Sequence, residues 1–382
     1  MTALSVIAIA VLLVLVFAAL ALTVLASRGV TIGARKPIAF EVDEAGSIRL
    51  QTDVRTTLPG RFGLLHDAAR GYVRVGPILR KGPRHTFRRI EAETGTPLPR
   101  RGTALWIRDV FRSPADLGLP FEEVSIDTSA GVCPAWVIPP IPVGTDSGVW
   151  VVHLHGIRST RSVVLPGVAA LKDLPVTSLV PSWRGDSEGP ATSGGGSSLG
   201  WMEWRDVERA LEFASTQGAR TIILIGWSMG GTIARLLMRS SRFADDVAGL
   251  ALVAPVTSWR AVVANAVRTA RLPAATAAGV EFVLGNRVLC RLAGLVEPVR
   301  LADLEWGVDG DRAVPTLVIH NPGDDLVPHA LIADFVRQKQ AELVVFEASL
   351  HATEWNGSPA RFESELRGWV RRQIVPSDHR KH

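Results

Sequence analysis

The sequence predicts an α/β protein built on a mostly parallel, doubly wound sheet, and three observations carry that prediction. Apolar runs of strand length recur through the second two-thirds of the chain, helical patterns lie between them, and a glycine-flanked serine sits where a strand passes into a helix. Two strands come first, Glu122–Ile126 and Cys133–Ile138, and Thr128-Ser129-Ala130-Gly131 between them reads as a hairpin turn. Further runs follow at Val149–Leu154, Val176–Pro181, Thr221–Ile225, Ala248–Ala254, Pro315–Ile319 and Glu342–Phe346, making eight strand candidates. Continuous apolar runs of this length suit strands covered on both faces. Between them, Trp204, Val207, Ala210, Leu211 and Ala214 form one helical stripe, and Gly230–Met238 and Phe362–Ile374 read as helices. Residues 258–312 interrupt the alternation with a mostly helical insertion of the size of a lid.

The regions outside this domain, residues 119–375, are of different character. Leu4 to Ala26 is a 23-residue run whose only polar members are Ser5 and Thr23. As a helix it extends about 34 Å, enough for a hydrocarbon core of about 30 Å. No Lys or Arg precedes the run, unlike a signal peptide, although Val24 and Ala26 fit a cleavage site, and no polar face marks it as a core helix. The expectation is an N-terminal transmembrane anchor over residues 1–27, single-pass. Arg28, Arg35 and Lys36 follow it, which places the C-terminal side in the cytoplasm by the positive-inside rule.

Residues 28–118 form a basic segment, β-rich or irregular. Nine Lys/Arg residues lie between Arg70 and Arg101 against Glu91 and Glu93 alone. This is expected to be a solvated β-rich surface. A sharper reading lays the face, through Arg84, Arg88 and Arg89, on anionic lipid head groups. The end of the chain, 376–382, reads as a polar tail.

Composition sets the outer limits. The chain has 382 residues, 47% of them hydrophobic and 21% charged, which excludes extended disorder and fibrous repeats. Without residues 4–26 the hydrophobic share falls to about 44%, ordinary for a soluble domain. A net charge of +5 makes no case for nucleic acid as partner. Two cysteines, Cys133 and Cys290, exclude a disulfide framework and a cysteine-rich zinc site, and leave their pairing open.

The most informative motif is Gly226-Trp227-Ser228-Met229-Gly230, with Gly231 behind it. A strand ends at the motif and a helix begins after it, so the chain must turn sharply at Ser228. Gly226 and Gly230 fit an elbow where neighbouring backbones approach closely. The helix N-terminus and the Met229 N–H favour negative charge on a substrate oxygen beside Ser228. A serine hydroxyl needs a base oriented by a carboxylate. Asp324-Asp325 follows the run ending at His320, and His351 follows the next run. Both thus sit just past the ends of consecutive strands, where chemistry gathers in such sheets.

With the order Ser228, Asp324, His351, residues 119–375 resemble the α/β-hydrolase family, in particular its serine esterase and peptidase-like members. The resemblance implies the α/β-hydrolase fold, with an eight-stranded, mostly parallel sheet. It implies an acid in a D-x-x-V-P context, which here selects Asp324 with Asp325 one residue away as competitor. It further implies a second oxyanion donor after the H-G dipeptide His155-Gly156, namely the Ile157 N–H beside that of Met229. Trp183-Arg184-Gly185-Asp186-Ser187-Glu188-Gly189 is similar to the family's R-G-x-x-S segment, where Arg184 and Asp186 read as turn chemistry. A rival takes His153 and His155 as metal ligands, but no further ligand cluster accompanies them.

The function expected is cleavage of an ester, or an amide, through an acyl-enzyme on Ser228, without metal or organic cofactor. The substrate expected is a hydrophobic acyl ester or another small carbonyl compound. A serine peptidase and a non-catalytic, membrane-tethered scaffold are the alternatives.

Overall fold

The computed structural model describes residues 3–33, 36–43, 46–142, 147–307, 313–347 and 350–374. Within the first helix it describes the side chains of Ser5, Val14 and every residue from Phe17 onward. The polar tail 376–382 and the end of the insertion, 308–312, lie outside the described residues.

Helix α1, Ala3–Thr31, opens the chain. It runs past the expected boundary at residue 27, and its last turns are seated on protein. Arg28 Nη1 donates to the Leu292 carbonyl at 3.2 Å, and Thr31 Oγ1 donates to that of Ala293 at 2.6 Å. Among the described residues no helix is long and apolar enough to cross a membrane. The transmembrane helix expected over 1–27 therefore gains no support here, since α1 is a longer helix whose end belongs to the protein body.

Six strands then close into a barrel, so the segment read as β-rich or irregular is a β-rich domain. They are β1 (Ile38–Val42), β2 (Ser47–Gln51), β3 (Phe62–His66), β4 (Gly71–Lys81), β5 (His85–Gly95) and β6 (Arg101–Ile107), arranged β1-β2-β5-β4-β3-β6 with β6 returning to β1. Ile48, Leu50, Phe62, Leu64, Val73 and Val75 fill the interior. Arg88 joins them. It is fully buried and donates to the carbonyls of Gly76 (2.9 Å), Thr56 (3.0 Å), Leu58 (2.8 Å) and Gly60. Burial pushes its guanidinium down to about 10. Arg88 is therefore a strut for the loop between β2 and β3, and it is not available to a lipid surface as the basic-face reading required.

The remaining strands form one eight-stranded sheet. They are β7 (Glu122–Thr128), β8 (Gly131–Ile138), β9 (Val149–Leu154), β10 (Thr177–Pro181), β11 (Thr221–Trp227), β12 (Val247–Val253), β13 (Thr316–His320) and β14 (Glu342–Val345). Their spatial order is β7-β8-β10-β9-β11-β12-β13-β14. The β7–β8 hairpin and the β8–β10 pair are antiparallel, and every pairing from β10 to β14 is parallel.

Helices cover both faces, which is why the central strands carry no polar alternation. On one face lie α2 (Leu165–Leu171) and the last helix, α9 (Pro359–Ile374), through Val168, Phe362, Leu366 and Trp369. On the other lie α3 (Glu203–Thr216), α4 (Met229–Ser240) and α7 (His329–Lys339). The insertion after β12 supplies α5 (Trp259–Thr269) and α6 (Ala275–Gly285) to this second face. A short helix, α8 (Glu354–Gly357), precedes α9. Both cysteines are buried and free.

Candidate active site

The site lies at the carboxyl ends of β9, β11, β13 and β14. Ser228 stands between β11 and α4 with φ 54° and ψ −116°, a conformation a non-glycine residue adopts only under constraint. The constraint is visible in the flanking glycines. A Cβ on Gly226 would meet the Gly230 carbonyl group at 2.7 Å, and one on Gly230 would meet the Leu154 carbonyl oxygen at 2.2 Å. The elbow thus packs backbone against backbone and leaves the Ser228 side chain pointing out of the sheet edge.

The structure brings Ser228, His351 and Asp324 together. His351 Nε2 is 2.8 Å from Ser228 Oγ, and His351 Nδ1 is 2.7 Å from Asp324 Oδ2. The other oxygen, Asp324 Oδ1, accepts from the N–H groups of Leu326 and Val327, both at 2.8 Å. Burial alone would raise the Asp324 carboxyl, but the His351 charge, the nearby His320 ring, the His351 hydrogen bond and the Val327 N–H outweigh it and hold it well below the usual carboxylate range. Its ionised state thus contributes stability above the unfolded value of about 3.9, lost only as pH falls toward the depressed one. Asp325 takes a different place: its Oδ1 accepts from the His351 backbone N–H at 3.0 Å.

Two features of this corner were not legible in sequence. His320, fully buried at the end of β13, reaches to 3.4 Å from Asp324 Oδ2 and contacts His329 Nδ1 at 3.2 Å. The barrel, too, holds the loop that carries His351. Arg108 Nη1 donates to the His351 carbonyl at 3.0 Å, while Asn356 Nδ2 donates to the carbonyls of Arg61 (2.7 Å) and Arg108 (2.9 Å).

Met229 opens α4, and Ile157 follows Gly156 just past β9. The Gly156 backbone lies against Ser228, since a Cβ there would sit 3.2 Å from that of the serine. The Gly156 carbonyl accepts from Ser159 Oγ at 2.7 Å and lies 2.9 Å from His155 Nδ1. His155 Nε2 lies 3.0 Å from Asp186 Oδ2. Asp186 also accepts backbone N–H bonds from Trp183 (3.1 Å), Glu188 (2.9 Å) and Gly189 (2.7 Å). Burial would raise this carboxyl, but the bond and charge of His155 and these N–H groups hold it low. The His155 ring thus bridges the Asp186 carboxylate and the Gly156 carbonyl. Trp183 stacks on that ring at 3.6 Å. Asp186 is thus more than the turn residue the sequence suggested, and the preceding H-x-H-G segment carried the signal. His153 lies apart, 3.2 Å from Ser178 Oγ, its ring pushed down to about 3 by burial. Among the described residues no group of three or more His, Cys, Asp or Glu side chains is placed to hold a metal.

Glu354 is buried three residues past His351. Its Oε1 accepts from Asn321 Nδ2 at 2.7 Å, whereas Oε2 is buried without a partner. Burial raises its carboxyl above the ordinary value. A raised carboxyl favours the folded state below the unfolded value of about 4.3, and that contribution is lost as pH rises through the folded value. Glu354→Gln is therefore expected to raise Tm at pH 8 by about 2–4 °C, with a smaller gain at pH 5, measured by thermal melts.

A strand-elbow-helix serine, hydrogen-bonded to a histidine and an aspartate at the carboxyl edge of a parallel sheet, defines the class of α/β proteins built like hydrolases. The chain belongs to the alpha/beta hydrolase family, whose model matches residues 151–378. A second model, for a domain of unknown function (DUF8805), matches residues 39–108, the barrel. No curated protein matches the chain. Among solved structures, an esterase of Pyrococcus furiosus is similar in fold. One crystal form is 18% identical, with 69% of this chain and 95% of that one covered and a TM-score of 0.51. Another is 19% identical, with 69% and 94% covered and a TM-score of 0.51. A serine hydrolase without lid from Xanthomonas campestris is 17% identical over 67% of this chain and 96% of that one, with a TM-score of 0.47.

Proposed function

We propose that the chain is a membrane-anchored serine hydrolase that cleaves a carboxylic ester through an acyl-enzyme. The observation that carries this reading is the line of two short hydrogen bonds, Ser228 Oγ to His351 Nε2 and His351 Nδ1 to Asp324 Oδ2. Ser228 Oγ attacks the ester carbonyl while His351 Nε2 takes its proton. The proton passes to the leaving alkoxide as the C–O bond breaks, and water then releases the acid by the reverse proton path. Asp324 keeps the second ring proton on Nδ1. The N–H groups of Met229 and Ile157 receive the charge that develops on the carbonyl oxygen.

The Ile157 N–H belongs to the same peptide as the Gly156 carbonyl. His155 and Ser159 hold that carbonyl, and in a trans peptide the N–H must then point the opposite way. Asp186→Asn removes the carboxylate that orients the His155 ring, and so loosens the hold on this peptide. It is expected to lower kcat about 10–100-fold with KM little changed, read from steady-state ester hydrolysis.

The anchor rests on the apolar run from Leu4 to Ala26 within α1. Membranes from cells expressing the full chain, washed in alkaline carbonate, are expected to hydrolyse p-nitrophenyl esters, and Ser228→Ala membranes are not. Activity released wholly into the wash contradicts the anchor. Equal hydrolysis by wild type and variant contradicts the hydrolase.

A further inference from the structure

Beside the candidate site lies an apolar pocket of about 280 Å³ that the reaction as written does not use. Its inner wall is Ile157 and Leu326. Ile157 follows the glycine that touches Ser228, and the Leu326 N–H donates to Asp324 at 2.8 Å. Val263 and Val267 of α5 and Val280 of α6 form the sides. The outer wall is the end of α1, through Ala26, Gly29 and Val30. Arg158, the residue after Ile157, joins the two walls: its Nη1 donates to the Gly29 carbonyl at 3.0 Å. Ser197 N–H donates to the Thr31 carbonyl at 3.2 Å, holding the helix end from another loop. A Cβ on Gly29 would meet nothing within 4 Å, so this position faces open space.

The surface around the pocket is apolar as well. Phe282, Val288 and Leu292 of the insertion are 63%, 72% and 48% exposed, and Phe17 and Leu25 of α1 are 69% and 66% exposed. Exposed apolar side chains on α1 and on the insertion that receives it suit contact with lipid better than with water.

We propose that this pocket receives the acyl chain of an ester drawn from the lipid phase, and that the end of α1 is one wall of the substrate site. The inference rests on Ser228 being the nucleophile. The N-terminal helix then has two roles, holding the enzyme at the bilayer and completing the acyl pocket. An acyl carbonyl placed at Ser228 sends its chain past Ile157 and Leu326 into the space under Gly29. Selectivity follows from burial: each methylene taken from water strengthens binding about fourfold, and an acetyl group reaches none of these walls.

The test measures kcat/KM of the full chain in mixed micelles for p-nitrophenyl acetate, butyrate, octanoate and dodecanoate. Wild type is expected to prefer octanoate to acetate. Gly29→Trp, which fills the pocket from α1, and Ala266→Trp, which fills it from α5, are each expected to lower the octanoate-to-acetate ratio of kcat/KM about 100-fold. Two variants on different walls, Gly29 of α1 and Ala266 of α5, separate pocket filling from misfolding, because a loss of folded enzyme leaves the ratio unchanged. A flat chain-length profile in wild type, or an unchanged ratio in both variants, overturns the proposal while Ser228 still reacts with a small fluorophosphonate. If wild type neither reacts with that probe nor hydrolyses any of the esters, the serine hydrolase reading fails, and the pocket with it.

Discussion

Replacement of Ser228 by Ala is expected to lower kcat for a carboxylic ester by about 10⁵–10⁶-fold, the loss typical when the nucleophile of a working triad is removed. The size follows from the geometry. Ser228 Oγ lies 2.8 Å from His351 Nε2, and the backbone strain at φ 54° holds that oxygen at the sheet edge. Alanine keeps the elbow and removes only the oxygen, so stability should change little. Steady-state hydrolysis of a p-nitrophenyl ester, with folding checked by circular dichroism, measures it. A variant that keeps more than about a tenth of wild-type activity would show that another group attacks the ester.

Asp324→Asn is expected to cost about 10⁴-fold in kcat. The two N–H groups of Leu326 and Val327 fix one carboxylate oxygen, so the asparagine carbonyl takes that place. Its amide NH₂ then faces His351 Nδ1, which must become an acceptor. The ring proton moves to Nε2, and the base is lost toward Ser228 without displacement of any atom. Asp325→Asn is the matched control. Its Oδ1 accepts from the His351 N–H, a bond that an asparagine carbonyl keeps, so its kcat is expected to stay within about tenfold of wild type. A larger loss in Asp325→Asn than in Asp324→Asn would exchange the two roles.

The hydrolase domain is readable in sequence because both faces of its sheet are covered, so strands appear as unbroken apolar runs and the elbow shows as glycines spaced around Ser228. Other features depend on contacts between distant segments. Asp324 and Asp325 differ by one residue, and only the loop conformation sends one to the ring of His351 and the other to its backbone. Nothing local to Asp186 reveals that it supports the Gly156 peptide through His155, 31 residues earlier. The barrel was obscured for another reason. Its interior includes an arginine, Arg88, and its two longest strands, β4 and β5, pair with shifts of register, so neither shows clean alternation. Basic residues that looked like one surface are in fact divided. Arg88 is inside, Arg74 pairs with Glu91, and Arg101 pairs with Glu41. The apolar run near the N-terminus likewise gave no sign that its helix continues to Thr31 and seats its last turns beside the site.

The measurement that tests the central claim most directly is mapping of a fluorophosphonate adduct on the full-length protein by mass spectrometry. One adduct per chain is expected, on the peptide containing Ser228, absent in Ser228→Ala and formed far more slowly in Asp324→Asn. An adduct on any other residue, or equal labelling of wild type and Ser228→Ala, would contradict Ser228 as the activated nucleophile.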